Sequence, residues 1–318
     1  MAISGSDIHH AKALLTSGKL IAIPTETVYG LAGNAFDPQS VATIFEVKNR
    51  PSFNPLITHV DSLDKVKSYV ATIDPIAQKL AEAFWPGPLT ILLPKTNAVP
   101  DIVTAGLDRV AVRIPQHPLT LSLLEQLDFP LAAPSANPFG YISPTMAIHV
   151  EQQLGSKLEY ILDGGACPVG IESTIVGVED DVVRVYRWGG VSLEDLQSTV
   201  PNVQKIVKQS SNTPTAPGML KSHYAPTKQV IIGNLEELVR QYPPEKIGVI
   251  SLQNTFPQIP ERRQVVLSRS GNLHEAAQHL FSALRKLDQL SIEIILAEFV
   301  PDYGLGRAIN DRLARASA

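Results

Sequence analysis

From Gln209 to Lys228 the chain is rich in Ser, Thr and Pro and shows neither a helical nor an alternating hydrophobic period. A segment of that kind has no apolar face to bury, so it connects folding units rather than belonging to one. The chain of 318 residues therefore divides into 1–208, a linker at 209–228, and 229–318. Both outer parts fall within the usual range of domain sizes.

The two parts have different patterns. Upstream, short apolar runs expected as strands lie at 20–23, 55–60, 89–93, 110–114, 131–133, 160–162, 174–178 and 182–186. Helices between them have recognisable starts: Ser6 as a cap, Asp37-Pro38 opening a helix to Lys48, Asp74-Pro75 one to Phe84, and Pro118 one to about Leu127. Ser143-Pro144 reads as another start, and a short helix is expected at 193–197. Downstream, strands at 229–233, 247–251, 265–267 and 292–298 alternate with helices at 235–241 and 273–289. That alternation predicts a small, Rossmann-like parallel α/β domain.

The ends of the upstream strands carry the chemistry. Pro24-Thr25-Glu26-Thr27-Val28-Tyr29-Gly30-Leu31 follows the first one and offers hydroxyl and backbone donors, or else forms a polar turn with the tyrosine packed inward. Lys48-Asn49-Arg50-Pro51 and Asn54-Pro55 form a proline-stiffened loop, with His59 one strand length further on. Cations on such a loop suit a triphosphate, because they need little ordering when it binds; at a helix C-terminus they also complement the helix dipole. Arg109 and Arg113 are four apart on a strand, hence on one face. They fit either one anion site or two surface ion pairs. Ala133-Pro134-Ser135-Ala136-Asn137 lets a ligand approach the backbone, and Ser143 stands where a helix N-terminus receives an anion. Glu172-Ser173-Thr174 and Arg187-Trp188-Gly189-Gly190 close the set.

Other chemistries are excluded. No Gly-x-x-x-x-Gly-Lys-Ser/Thr occurs, so this is not a P-loop ATPase. His274 and His279 are five apart and miss a common helical face. Gly304-Leu305-Gly306 lacks the third glycine of a dinucleotide fingerprint. Cys167, the single cysteine, permits no intramolecular disulfide and no cysteine-based zinc site, and it has no activating base beside it. Residues 1–208 hold 15 Lys+Arg against 21 Asp+Glu, net −6, and the remainder is net +2. That balance speaks against a polynucleotide partner, although an RNA-binding module is the alternative reading. With no leader or membrane-length apolar run in view, a cytoplasmic, membrane-free protein is expected.

Taken in order, Pro-Thr-Glu-Thr-Val-Tyr-Gly-Leu (24–31), Lys-x-Arg-Pro with Asn-Pro-Leu-Ile (48–57), Trp-Pro-Gly-Pro-Leu-Thr (85–90), Val-Arg-Ile-Pro (112–115), Pro-Ser-Ala-Asn (134–137) and Glu-Ser-Thr-Ile-Val (172–176) resemble the YrdC-like domain family. Ala-Pro-Gly-Met (216–219) and His-Tyr-Ala-Pro (223–226), with an α/β domain beyond, resemble its longer, two-domain threonylcarbamoyl-AMP synthases. Asn49 and Ala32 stand where glycine is common in the family. The resemblance implies a twisted mixed sheet with helices around an open cleft. It also implies a reaction in which L-threonine, bicarbonate and ATP, with Mg2+, give threonylcarbamoyl-AMP and pyrophosphate without a protein nucleophile. The product would pass to a downstream tRNA threonylcarbamoyl transferase machinery; carbamoyl transfer in hydrogenase maturation, the other chemistry of this domain, accompanies zinc fingers that one cysteine cannot build. Carried over motif by motif, Thr27, His59, Arg113, Ala133 and Ser173 would contact threonine. Lys48, Arg50, Asn54, Arg109, Ser135, Ser143, Arg187, His223 and Tyr224 would contact ATP, and no residue is assigned to the metal. The linker, with Met219, His223 and Tyr224 between Pro217 and Pro226, is expected to close over the cleft as a lid.

Overall fold

A computed structural model describes residues 2–205 and 224–318. The first part builds one mixed sheet from β1 (Ile3–Gly5), β2 (Ile21–Ile23), β3 (Gly30–Asn34), β4 (Ile57–His59), β5 (Leu89–Pro94), β6 (Arg109–Arg113), β7 (Leu131–Ala132), β8 (Tyr160–Leu162), β9 (Thr174–Glu179), β10 (Val182–Arg187) and β11 (Val203–Lys205). Their order in space is β1-β8-β2-β3-β7-β4-β6-β5-β9-β10-β11. Helices α1 (Ile8–Thr16), α2 (Pro38–Lys48), α3 (Leu63–Lys67), α4 (Pro75–Phe84), α5 (Asp101–Thr104), α6 (Pro118–Glu125), α7 (Ala147–Leu154) and α8 (Leu193–Thr199) complete this part.

The second part is the expected parallel sheet. Strands β12 (Gln229–Ile232), β13 (Ile247–Ser251), β14 (Gln264–Val266) and β15 (Ile294–Ala297) run in the order β12-β15-β13-β14, and every pair is parallel. Helices α9 (Leu235–Gln241), α10 (Leu273–Asp288) and α11 (Gly306–Ala316) belong to it. β13 is buried along its whole length, as a central strand covered on both faces must be.

The sheet register gathers the polar strand ends at one edge. β4 and β6 are parallel, with His59 opposite Arg113. β5 runs antiparallel to β6 and parallel to β9, with Leu89 opposite Thr174. The end of β6 therefore lies near the start of β9, and Arg187 at the end of β10 pairs with Ile175.

Local chemistry explains most helix boundaries. Asp37 caps α2 by accepting from Gln39 and Ser40 main-chain N–H groups, and Pro38 occupies its first turn. Beyond Lys48, Asn49 takes a left-handed conformation (φ 52°, ψ 41°). Asparagine tolerates that region better than other side chains, which is why it can stand at this turn without glycine. The first helix is capped by Asp7 rather than Ser6. The helix expected from Ser143-Pro144 starts only at Ala147, after Met146. Ser143 instead turns its hydroxyl to Glu172 at 2.6 Å, and the Pro144 carbonyl accepts the Tyr29 N–H at 2.8 Å. Strand β3 was not foreseen, because Gly-Leu-Ala-Gly-Asn carries no β-branched residue and is buried almost throughout rather than alternating.

The two parts pack as one body. A continuous apolar cluster runs from Leu31 and Ile142 to Phe281, Leu284, Ile309 and Leu313. Arg285 of α10 crosses the boundary, donating to the Ile142 carbonyl and, at 2.9 Å, to Gln153. Tyr141 donates to Asp288 at 2.5 Å.

Asn49→Gly is expected to leave stability unchanged. Asn49→Val should lower unfolding free energy by about 1–2 kcal/mol, the cost of left-handed backbone for a substituted residue. Urea denaturation of the pair checks this; equal stabilities would show that the turn relaxes freely.

Candidate active site

The gathered strand ends line a cavity formed by Thr25, Thr27, Val28, Gly30, Arg50, Pro55, Leu56, Ile57, His59, Arg113, Ala133, Pro134, Ser135, Glu172, Ser173, Arg187 and Tyr224. Its residues come from segments more than a hundred positions apart, brought together by the register just described.

On one side, Arg113 anchors the Thr25–Thr27 turn. Its guanidinium donates to the Gly87 carbonyl at 3.2 Å, to Thr27 Oγ1 at 2.9 Å and to Glu26 Oε1 at 2.5 Å. Glu26 also accepts the Gln116 N–H at 2.9 Å, and Glu26 and Arg113 are both buried. Thr25 closes the turn by accepting the Thr27 and Val28 N–H groups, each at 3.1 Å. Of the five donors on a guanidinium, one on each terminal nitrogen has no partner among the described residues. Donors of this kind are what a carboxylate ligand would need.

His59 sits beside Arg113, with its Nδ1 buried and lacking a partner among the described residues. Burial first, and then the Arg113 charge, depress its pKa to about 3. The imidazole is therefore neutral at physiological pH and acts as a polar wall rather than a cation.

On the other side lie the cations. Arg50 donates to the Asn54 carbonyl at 3.2 Å and the Pro55 carbonyl at 2.8 Å. Arg187 donates twice to the Ser173 carbonyl, at 3.1 and 2.9 Å, and to Ser173 Oγ at 3.0 Å. Lys48 donates to the Ser135 and Asn137 carbonyls. All three are buried, and among the described residues none has a carboxylate within ion-pair distance. Burial lowers the Arg50 pKa to about 9, with the Arg187 charge acting in the same direction. It also lowers that of Lys48, with Arg50 adding to the effect. The Arg50 and Arg187 guanidinium groups are held in a low-dielectric pocket with no carboxylate in ion-pair contact among the described residues, although Glu172 acts on Arg187 from a distance; such a pocket favours an anionic ligand.

The remaining predicted residues divide clearly. Ala133, Ser135, Ser173 and Tyr224 line the cavity with Thr27, His59, Arg113, Arg50 and Arg187. Asn54 is buried, and neither end of its amide has a partner among the described residues. Lys48 pins the Ser135–Asn137 loop from behind rather than lining the cavity. Ser143 likewise stands behind it, bonded to Glu172. Arg109 is elsewhere: it pairs with Glu179 at 3.0 Å, at the far end of β6. Even spacing put it on the same face as Arg113, but four residues at about 3.3 Å each separate the two by roughly 13 Å. His223 and Met219 lie outside the described residues, as does most of the expected lid; Tyr224, at its end, is buried against Phe281 (ring centroids 5.5 Å apart).

Glu172 was read only as part of a motif, and its role is now clear. It accepts from Ser143 at 2.6 Å and from Arg312 Nε at 2.7 Å. Gly189 packs against it so closely that a Cβ would meet the Glu172 carbonyl oxygen at 2.2 Å; this close approach requires glycine at 189. Cys167 is buried, and burial pushes its thiol pKa up. Among the described residues no three His, Cys, Asp or Glu side chains converge on a possible metal, and both carboxylates at the cavity are engaged by arginines. Among the described residues there is thus no cluster of side chains that would hold a magnesium ion by itself.

The described fold is that of a two-part α/β protein with a polar, arginine-lined cavity, and known proteins with this architecture match. The Sua5–YciO–YrdC family model, described as telomere recombination, matches residues 13–189, and that of the threonylcarbamoyl-AMP synthase C-terminal domain matches 191–318. The chain is similar to the threonylcarbamoyl-AMP synthase of Pyrococcus abyssi, 40% identical with 98% of this chain and 94% of the relative covered. It is also similar to that of Bacillus subtilis, 37% identical with 98% and 92% covered. The crystal structure of P. abyssi Sua5 complexed with L-threonine superposes with a TM-score of 0.91 at 38% identity, covering 100% of this chain and 97% of that one. The chain belongs to the Sua5–YciO–YrdC family. Within it, the chain is of the two-domain threonylcarbamoyl-AMP synthase kind.

The depressed His59 pKa has a signed consequence. In the unfolded chain the imidazole takes up a proton near 6.5, but in the folded chain only near 3. Its contribution to stability is complete above about pH 6.5 and is lost as pH falls from there toward 3. The urea midpoint of the wild type should fall more steeply than that of His59→Gln between pH 6.5 and 4.5. Parallel curves would show that the imidazole is solvated.

Proposed function

We propose that this cavity condenses L-threonine, bicarbonate and ATP into threonylcarbamoyl-AMP, pyrophosphate and water. The observation that carries this reading is the asymmetry of the cavity. One wall presents Arg113 with two donors to spare, and the other presents the buried arginines Arg50 and Arg187, neither in ion-pair contact with a carboxylate among the described residues.

Threonine would place its carboxylate on the two remaining Arg113 donors, near Thr27, His59, Ala133 and Ser173. The triphosphate would lie along Arg50 and Arg187 near Ser135, with Asn54 within the same loop and Tyr224 against the nucleoside. The threonine amine takes up CO2 from bicarbonate as a carbamate, and a carbamate oxygen attacks the α-phosphorus as pyrophosphate leaves. The nucleophile belongs to the substrate, so the protein's contribution is to align two anions and stabilise the charge that develops at phosphorus. A neutral His59 serves this better than a charged one, since it leaves the carbamate nucleophilic. Magnesium would enter on the nucleotide's phosphates, where it commonly sits, and no step here depends on a protein ligand to it.

In this reading the enzyme is a nucleotidyltransferase of the cytoplasm, and its product feeds a tRNA threonylcarbamoyl transferase. Residues 1–208, 209–228 and 229–318 serve as catalytic part, linker and supporting domain. Among the described residues no helix is long and apolar enough to cross a membrane.

Mass spectrometry of a reaction with threonine, [13C]bicarbonate and ATP should detect threonylcarbamoyl-AMP carrying one heavy carbon; AMP or ADP alone would refute the reading. Two variants separate the walls. Arg113→Lys should raise the threonine KM by about tenfold or more, as expected for loss of a bond to a charged group, while leaving the affinity for a non-hydrolysable ATP analogue nearly unchanged. Arg50→Ala should show the reverse pattern by isothermal titration. An analogue affinity within twofold of wild type would remove Arg50 from the phosphate site.

A further inference from the structure

We infer that Arg312, in the last helix of the second domain, is a positioning residue through which that domain sets the catalytic cavity. This rests on the function proposed above. Arg312 is fully buried, and its guanidinium reaches across the domain boundary. Nε donates to Glu172 Oε2 at 2.7 Å, and Nη2 donates to the Trp188 carbonyl at 2.9 Å. Nη1 stays within its own helix, on Asp311 at 2.7 Å. The guanidinium carbon lies 4.9 Å from the centroid of the Tyr224 ring.

Each of these contacts adjoins a cavity group. Glu172 itself lines the cavity and precedes Ser173. Trp188 follows Arg187, whose guanidinium is bonded to Ser173. Tyr224 is the first described residue of the linker. One rigid fork therefore fixes the groups assigned to threonine, to phosphate and to the nucleoside, although it touches no substrate. A planar guanidinium can do this because its donors diverge at fixed angles; an ammonium would satisfy Glu172 and lose the other directions. Glu172 is tied on its other side by Ser143, so its orientation depends on both domains.

The same boundary contains a control. Arg307, one turn earlier on α11, pairs with Glu194 at 2.7 Å, far more exposed and away from the cavity. Arg307 therefore reports what loss of a boundary contact that touches no cavity group does, and the folded Arg312→Lys reports loss of the cavity contacts with the domains still joined.

The test uses the full-length chain with Arg312→Met, Arg312→Lys and Arg307→Ala. Threonine KM, kcat and the Kd of a non-hydrolysable ATP analogue are measured, with near-ultraviolet circular dichroism as a check of folding. Arg312→Lys should stay folded yet raise both the threonine KM and the analogue Kd by about tenfold, the effect of losing one charge-assisted bond. Arg312→Met should be worse on both. Arg307→Ala should stay within twofold of wild type. Wild-type constants in a folded Arg312→Lys would overturn the inference, as would an Arg307→Ala as impaired as the Arg312 variants. If Arg312→Met fails to fold, Arg312→Lys alone decides. Because the Kd is read without turnover, a wild type that bound the analogue but made no threonylcarbamoyl-AMP would count against the proposed reaction and leave this inference to its own result.

Discussion

Buried arginine charge with no carboxylate in ion-pair contact is the constraint around which this structure is arranged. Arg50 and Arg187, like Lys48 behind them, are satisfied by main-chain carbonyls and, for Arg187, a serine hydroxyl. Carbonyl dipoles hold the donors in place without cancelling their charge. Two consequences follow. The loops that supply those carbonyls must be stiff, which accounts for Pro51, Pro55, Pro134 and Pro138 around them. The cost of charge burial is recovered only when an anion arrives, so part of the protein's stability is deferred to the bound state.

The carboxylates near the cavity are used in the opposite way. Glu26 and Glu172 each face an arginine in a buried pair. Removing Glu26 would leave the Arg113 guanidinium without its carboxylate, which is far more damaging than losing an exposed pair, whereas removing Glu172 would leave Arg312 only the Asp311 carboxylate of its own helix. These pairs serve as geometry rather than as net stabilisation. Glu26 aims the Arg113 fork, and Glu172 ties the Ser173 strand end to the second domain. Surface pairs such as Lys67–Asp64 have no comparable role.

Much of this was legible in the sequence, and the failures have physical reasons. The Asp37-Pro38 and Asp74-Pro75 starts were plain because capping is local chemistry. The parallel second sheet was plain because its pattern alternates at helix and strand periods. The Ser143 start failed because a serine that looks like a cap can spend its hydroxyl on a distant carboxylate. Arg109 was grouped with Arg113 because periodicity reveals the face of a strand but not position along it. Arg312 was missed altogether. The signal existed, however: it occupies the buried stripe of α11 with Ala308, Ile309 and Leu313, and an arginine on an apolar stripe needs a buried partner. Its partner lies 140 residues away, and no local rule could supply it.

The central claim is that one cavity receives both substrates, threonine on the Arg113 wall and the triphosphate on the Arg50 and Arg187 wall. A crystal structure of the full-length protein with L-threonine and a non-hydrolysable ATP analogue tests it directly. The account expects the threonine carboxylate within hydrogen-bond distance of Arg113 and phosphate oxygens within reach of Arg50 and Arg187, with the carboxylates of Glu26 and Glu172 unmoved. Phosphates bound elsewhere, for instance at the C-terminal ends of β12 and β15, would contradict it.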